Sequence, residues 1–324
     1  MYPRKFLAFA AGILAAVTIS LPAFGQAYPS RPLRMVVPFP PGGPTDITGR
    51  TLAQKLSERW NQPVVVENRP GAGSIIGTEI AAKSAPDGYT ILLGRNSIAL
   101  QPLLQSKLPY DPQRDLAPVI LAVRIPNVLI VHPSVPANTL AEFIALAKAK
   151  PATINYASVG NATGPHLFGE LFRGMTGVDI VHVPYKGTAP AVNDLLAGQV
   201  QALFDSLATA LPNIRAGKLR ALGVTSLQRS KSAPDIPTIS EAGAPGYEAT
   251  GWFGVLVPAG TPADIIAKMN AELGAILKQP DVEERFLKFG AAGGGGTPEQ
   301  FAAFIRSEQE KWGKVIREAR IRID

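Results

Sequence analysis

The segment Pro38-Phe39-Pro40-Pro41-Gly42-Gly43-Pro44-Thr45-Asp46 has the residue types that point most directly to chemistry. Its prolines stiffen the backbone, its glycines allow a ligand to approach closely, and Thr45 or Asp46 stands where a helix begins. The first amides of a helix have no partners within it, and the helix dipole is positive there. Such a start attracts an anion without needing an arginine, and a carboxylate suits it. The plainer alternative is an ordinary strand-to-helix turn in which Asp46 only caps. The candidates here are Phe39, Gly43, Thr45 and Asp46.

A second segment has the same physical character. Ser158-Val159-Gly160-Asn161-Ala162-Thr163-Gly164-Pro165-His166 places small and polar residues after a predicted strand and before a predicted helix. Its hydroxyls and amides can donate to carboxylate oxygens or hold bridging waters, the alternative being a surface turn. Ser158, Asn161, Thr163 and His166 are its candidates. Two more strand ends, Tyr185-Lys186-Gly187-Thr188 and Asp205-Ser206, border the same region if the strands are parallel. Lys186 is either a counter-ion or a solvated charge, and Asp205 is the acidic candidate.

Other chemistries lack their residues. The chain has no cysteine, so disulfides, thiolate metal sites, a thiol nucleophile and a lipid-anchored cysteine are all excluded. Of three histidines, His132 precedes a proline, His166 opens a helix and His182 lies in a strand, and no pair has metal-ligand spacing. Tyr156-Ala157-Ser158-Val159-Gly160 misses a nucleophile elbow because Tyr156 stands where glycine belongs. Gly71, Gly73 and Gly77 miss the dinucleotide spacing and read as a tight turn opening a helix. No metal, no cofactor and no catalytic residue is expected.

The elements that must position these segments follow from periodicity. Short β-branched runs alternate with helical stretches, which argues for parallel sheets covered by helices on both faces. Strands are read at Leu33 to Val37, from Val64, at Thr90 to Leu93, Val128 to Val131, Ile154 to Ala157, Ile180 to Val183, Ala202 to Phe204, Ala221 to Val224 and Phe253 to Val257. Thr139 and Glu142 form a capping box, and the last two helices open with Thr261-Pro262 and Thr297-Pro298. The last helix aligns Phe301, Phe304, Ile305, Trp312 and Val315 as a face that packs on one lobe. A late strand with two helices cannot bury itself alone, so it returns to the first lobe. The chain then crosses twice, near Arg124 to Asn127 and near Tyr247 to Trp252. Lobe 1 is 28–125 plus 251–324 and lobe 2 is 126–250, with a ligand cleft between them.

Arg4 and Lys5 precede an apolar run from Phe6 to Phe24 that ends in small residues around Gly25 and Ala27. This is the layout of a cleavable secretory signal over 1–27, which directs the chain out of the cytoplasm without a lipid anchor. Losing Arg4 and Lys5 takes the formal charge from +7 to +5. Its basic residues are spread without an aromatic platform, so nucleic acid is not an expected partner, whereas a diffuse positive field helps anions approach.

Several stretches together resemble the Bug (Bordetella uptake gene) family, the periplasmic substrate-binding receptors of tripartite tricarboxylate transporters. They are Tyr28-Pro29-Ser30-Arg31-Pro32, the Pro38 to Asp46 loop, Val66-Glu67-Asn68-Arg69-Pro70-Gly71-Ala72-Gly73, Ala85-Pro86-Asp87-Gly88-Tyr89-Thr90 and Val183-Pro184-Tyr185-Lys186-Gly187. Ala216 to Leu222 and Pro258-Ala259-Gly260-Thr261-Pro262 continue the series over the whole mature chain. The resemblance implies a two-lobed, periplasmic binding protein-like α/β fold of type II, each lobe a sheet flanked by helices. It implies a monomer that closes on a dicarboxylate, an acidic amino acid or an aromatic acid and docks transiently on the membrane subunits of a transporter. One ligand carboxylate would sit at Gly43, Thr45 and Asp46, with Ser158, Asn161, Thr163 and Asp205 opposite and waters between. Arg95, Asn96, His166 and Trp252 are readers of the far end. Two other classes stay open: a ligand sensor for a signalling partner, and a small-molecule enzyme on a similar scaffold.

Overall fold

The computed structural model describes residues 28–321; the signal read at 1–27 lies outside them. The chain opens with β1 (Leu33–Val37), α1 (Pro44–Trp60), β2 (Val64–Asn68), α2 (Ile75–Ala82), β3 (Thr90–Arg95) and α3 (Ser97–Leu104). A long strand follows, β4 (Leu116–Val131), and then α4 (Leu140–Ala149), β5 (Asn155–Ser158), α5 (Gly164–Thr176) and β6 (Val181–Pro184). Next come α6 (Thr188–Leu196), β7 (Ala202–Ser206), α7 (Leu207–Arg215), β8 (Arg220–Val224) and the short α8 (Ile239–Ala242). The last section is β9 (Thr250–Pro258), α9 (Ala263–Ile276), α10 (Pro280–Leu287), β10 (Ala292–Gly295) and α11 (Pro298–Glu318).

Two sheets share one strand. β2, β1 and β3 are parallel, and β9 runs antiparallel between β3 and the first part of β4, with β10 on the other side of β4. The second part of β4 lies between antiparallel β7 and β8, and β5 and β6 extend that sheet beyond β7 in parallel. The sequence pattern marks only Val128 to Val131 as strand and leaves Arg124 to Asn127 as a crossing. Instead the strand starts at Leu116 and continues through that crossing. Its polar and proline residues hide it: Pro118 sits at a register shift and Pro126 is the last residue paired with β9, positions where a missing ladder donor is tolerated.

Strand alternation divides the core. On the first sheet, Met35, Val37, Ile91 and Leu93 pack under α1 and α9, while Val36 and Leu92 face α2 and α11. On the second, Leu129 and Val131 pack with Phe143, Phe172 and Phe204, while Val128 and Ile130 face α6 and α7. The period of two dictates this, because successive side chains of a strand point to opposite faces.

The terminal helix departs from the expectation that it packs on one lobe. Phe301 and Ile305 join Trp252 and Leu256 in the first-sheet core, whereas Trp312, Val315 and Ile316 join Leu167, Phe168 and Phe172 of α5 in the second-sheet core. Glu308 stands between the two groups and accepts hydrogen bonds from Trp252 Nε1 at 3.2 Å and Trp312 Nε1 at 2.9 Å. A helix of 21 residues is about 30 Å long, long enough to span both layers.

Candidate functional site

Strand register places the two sets of strand ends relative to the shared strand β4. Arg95, at the end of β3, is opposite Phe253 of β9, and Phe253 is opposite Val123 of β4. Ser206, at the end of β7, is opposite Asn127 of β4. The carboxyl ends of both parallel sets thus meet β4 four residues apart, about 13 Å at the usual strand rise. Ligands of open α/β sheets bind beyond such strand ends.

On the first sheet, Asp46 shapes the loop. Its carboxylate accepts from Gly42 N, Arg50 Nε and Asn68 Nδ2, each at 2.9 Å, and Asn68 Nδ2 also donates to the Phe39 carbonyl at 3.0 Å. Burial alone pushes the Asp46 carboxyl up, but the bonds from Arg50, Gly42 and Asn68 outweigh it and hold it below the ordinary value. Asp46 is therefore consumed within the protein and does not offer a repelling charge to an anion. Thr45 is buried, yet its hydroxyl makes no hydrogen bond among the described residues. Gly43 is the N-cap of α1 and provides no side-chain acceptor to its amides. Gly77 explains the glycine series nearby: a Cβ there would lie 2.6 Å from the Arg69 carbonyl, so its role is close packing.

On the second sheet, Ser158 is fully buried, donates to the Gly160 carbonyl at 3.0 Å and lies 2.6 Å from His182 Nε2. Thr163 Oγ1 donates to the same carbonyl at 2.7 Å, and His166 Nδ1 accepts from Ala162 N at 2.9 Å. These three side chains fix the loop, and Ser158 and His166 also take up the amides of Gly160 and Ala162. Asp205 accepts from Ser206 N and Thr209 Oγ1 at 2.8 and 2.7 Å, and burial pushes its carboxyl up. Asn161 and Lys186 are exposed, and Lys186 has no ion pair among the described residues. No hydrogen bond among the described residues joins the first-sheet group to the second-sheet group.

Helix starts differ in their caps. At the ends of β1, β3, β5, β6 and β7, the N-caps Gly43, Asn96, Thr163, Gly187 and Ser206 make no side-chain capping bond. By contrast α4, α8 and α11 carry full capping boxes at Thr139, Thr238 and Thr297, while α9 and α10 also lack a side-chain cap. A helix start without a side-chain cap keeps its first amides open, which is the arrangement that attracts an anion.

Some residues fall elsewhere. Trp252 is buried against Phe301 and Phe304 and cannot read a ligand; its aromatic type suggested a binding platform, but its register position places it in the core. Asn68 and His182 support the loops, and only contacts across strands reveal this. Ser158 is no nucleophile elbow, since its hydroxyl is turned into the protein. Among the described residues no group of three or more His, Asp or Glu is placed to hold a metal ion.

A family model described as "Tripartite tricarboxylate transporter family receptor" matches residues 48–321. Protein BugT of Bordetella pertussis is 41% identical over 320 residues, covering 98% of each chain. Among solved structures, R. palustris Rpa4515 with adipate superposes with a TM-score of 0.75 at 38% identity, covering 91% of this chain and 99% of that one. MatC (Rpa3494) from Rhodopseudomonas palustris with bound malate gives 0.69 at 33% identity, covering 89% of this chain and 100% of its own.

Proposed function

Since this chain belongs to the tripartite tricarboxylate transporter receptor family, a family of solute-binding receptors and not of enzymes, we propose that it captures a small organic carboxylate and delivers it to the membrane subunits of such a transporter. The observation that carries this reading is the ring of uncapped helix starts at the strand ends that converge on β4. Open amides supply several donors and a partial positive charge at no cost in side-chain ordering.

In this reading the amides at Gly43, Thr45 and Asp46, with the Thr45 hydroxyl, take one carboxylate. The Ser158 to His166 loop, with Asn161 and Thr163, closes from the other side, and Lys186 and Asp205 border the cleft. Phe39 covers it. The lobes are 28–125 with 251–324, and 126–250, joined by β4 and by the start of β9, with α11 packed across both. Closure is a change of angle about those strands, and ligand binding shifts the population towards it. The receptor acts outside the cytoplasm as a monomer after removal of residues 1–27. No helix among the described residues is long and apolar enough to cross a membrane.

The relatives that hold adipate and malate support a carboxylate as ligand. Calorimetric titration of the purified protein with a panel of organic acids, combined with product analysis of the same mixtures, tests the proposal. Stoichiometric binding of an acid recovered unchanged is expected; no binding of any acid, or its conversion, would overturn it.

A further inference from the structure

α3 and α5 each begin at a strand end. α3 follows β3 from its N-cap Asn96, and α5 follows the Ser158 loop from its N-cap Thr163. In the reading given above they belong to different lobes, yet both rest on the same stretch of α11. Leu100, Leu103 and Leu104 of α3 share one apolar core with Leu167, Phe168 and Phe172 of α5, and Trp312, Val315 and Ile316 of α11 complete it.

The two contacts on α11 differ in kind. Towards α5 it presents Trp312, whose ring centroid lies 5.6 Å from that of Phe168 and whose indole N–H is held by Glu308 at 2.9 Å. Towards α3 it presents Gly313, a buried glycine inside the helix. Glycine weakens a helix interior, so it needs a packing reason there. A Cβ at Gly313 would already lie 3.5 Å from Leu103, and a longer side chain would enter α3. Without a ridge at that point α11 does not interlock with α3. Beyond Trp312, α5 and α11 part around a groove of about 930 Å³ lined by Leu171, Met175, Val178, Val315 and Ala319. Close-packed helices have no such room to move.

We propose that α11 is the fulcrum of lobe closure, with Trp312 and Gly313 as positioning residues: α5 rocks on Trp312 while α3 slides past Gly313. The proposal rests on the receptor reading and adds the contact about which its lobes turn. Phe168 lies between the two ends of α5, so rotation about it moves those ends in opposite directions. As Thr163 approaches the facing lobe, the groove at the far end widens. Pulling either helix straight off α11 would expose the shared core, whereas rocking and sliding keep it buried. Lys311 Nζ also donates to the Glu248 carbonyl at 3.2 Å, which ties α11 to the segment where the chain returns to β9.

Spin-label distances test this, and a chain without cysteine takes labels only where cysteines are introduced. One pair, Gln54→Cys on α1 and Lys148→Cys on α4, reports the lobes; a second, Met175→Cys on α5 and Glu318→Cys on α11, reports the groove. All four positions are exposed. With whichever of adipate and malate binds in calorimetry, the lobe distance should shorten and the groove distance lengthen, by about 2–5 Å. Without any acid, Gly313→Leu should shift the mean lobe distance by about 2 Å or more, because the wedge moves α3 off α11. Trp312→Ala should broaden the lobe distribution, and Trp312→Phe, which keeps a ring against Phe168, should restore its width. A residue that only stabilises the fold would lower Tm and leave these distances unchanged. A groove distance that stays fixed while the lobes close overturns the proposal. So does an unshifted lobe distance in Gly313→Leu, which decides the matter even where Trp312→Ala fails to fold. Failure of every organic acid to bind overturns the receptor reading instead, since the unliganded distances are measured without one.

Discussion

His166 and His182 stack face to face, with ring centroids 3.8 Å apart and planes within 5° of parallel. One opens α5 and the other lies in β6, so the pair ties the second-sheet loop to the strand beside it. His182 Nε2 reaches Ser158 Oγ and His166 Nδ1 accepts from Ala162 N. The stack is the floor beneath the Ser158 to His166 loop, and it holds only while both rings are neutral.

That condition sets a pH dependence. Burial, with Arg173 and His166 adjacent, pushes His182 down from 6.5 to about 4; burial also lowers His166, opposed by Glu170 and aided by Arg173. Tyr156 faces the same pair from β5. A depressed histidine binds protons more readily when unfolded, so stability is complete above the ordinary imidazole value and declines as pH falls towards about 4. Thermal melts between about pH 7 and about pH 4.5 should lose a few degrees of Tm in wild type and less in His182→Gln, which keeps an acceptor for Ser158 but does not titrate. Equal losses would exclude the stack as the cause.

Gly43 separates binding from folding. Its φ is −84° and a Cβ there meets nothing within 4 Å, so larger residues fit the fold. Gly43→Leu should leave stability within about 0.5 kcal/mol. Its side chain would fill the space before the α1 amides, and carboxylate affinity should fall at least tenfold, or about 1.4 kcal/mol. Urea unfolding and calorimetry on the same preparation measure the two effects.

Asp46→Ala removes the acceptor shared by Gly42, Arg50 and Asn68. The expected loss is about 1–3 kcal/mol of stability, since three hydrogen bonds to a buried charged acceptor are lost, and ligand affinity should fall with it as the loop loosens. Because the folded carboxyl is held below 3.8, its contribution is present above that value and is lost only as pH falls through the lower folded one. Acid titration of wild type should therefore show this loss below the histidine window.

Glu308 is the shared acceptor of two indoles from different cores. Glu308→Leu leaves Trp252 and Trp312 with buried, unpaired N–H groups and should cost about 2–4 kcal/mol in chemical denaturation. Glu308→Gln, which keeps an acceptor but loses the ion pair with Lys311, should cost less. If Glu308→Leu matches wild type, α11 does not depend on this contact to join the layers.

The loops were legible in the sequence because their signals are local. Proline and glycine after an apolar run, a small polar stretch before a helix, and a capping threonine each act over a few residues, so Gly43, Thr45 and Thr163 stand at helix starts as read. Side-chain direction was not legible: nothing near Asp46 in sequence announces Asn68, and nothing near Ser158 announces His182. The long β4 was missed for a related reason, since its prolines break the local pattern while pairing with β9, more than a hundred residues later, sustains the strand.

By itself, then, the sequence determined the alternation of strands and helices, the anion-attracting helix starts, the absence of thiol chemistry and the family resemblance, all carried by composition and short-range spacing. Only the tertiary structure decided that both sets of strand ends meet one continuous strand, that two histidines stack, and that α11 belongs to two cores. Those outcomes depend on register between distant segments, where a shift of one residue would turn each of these side chains to the opposite face of its sheet.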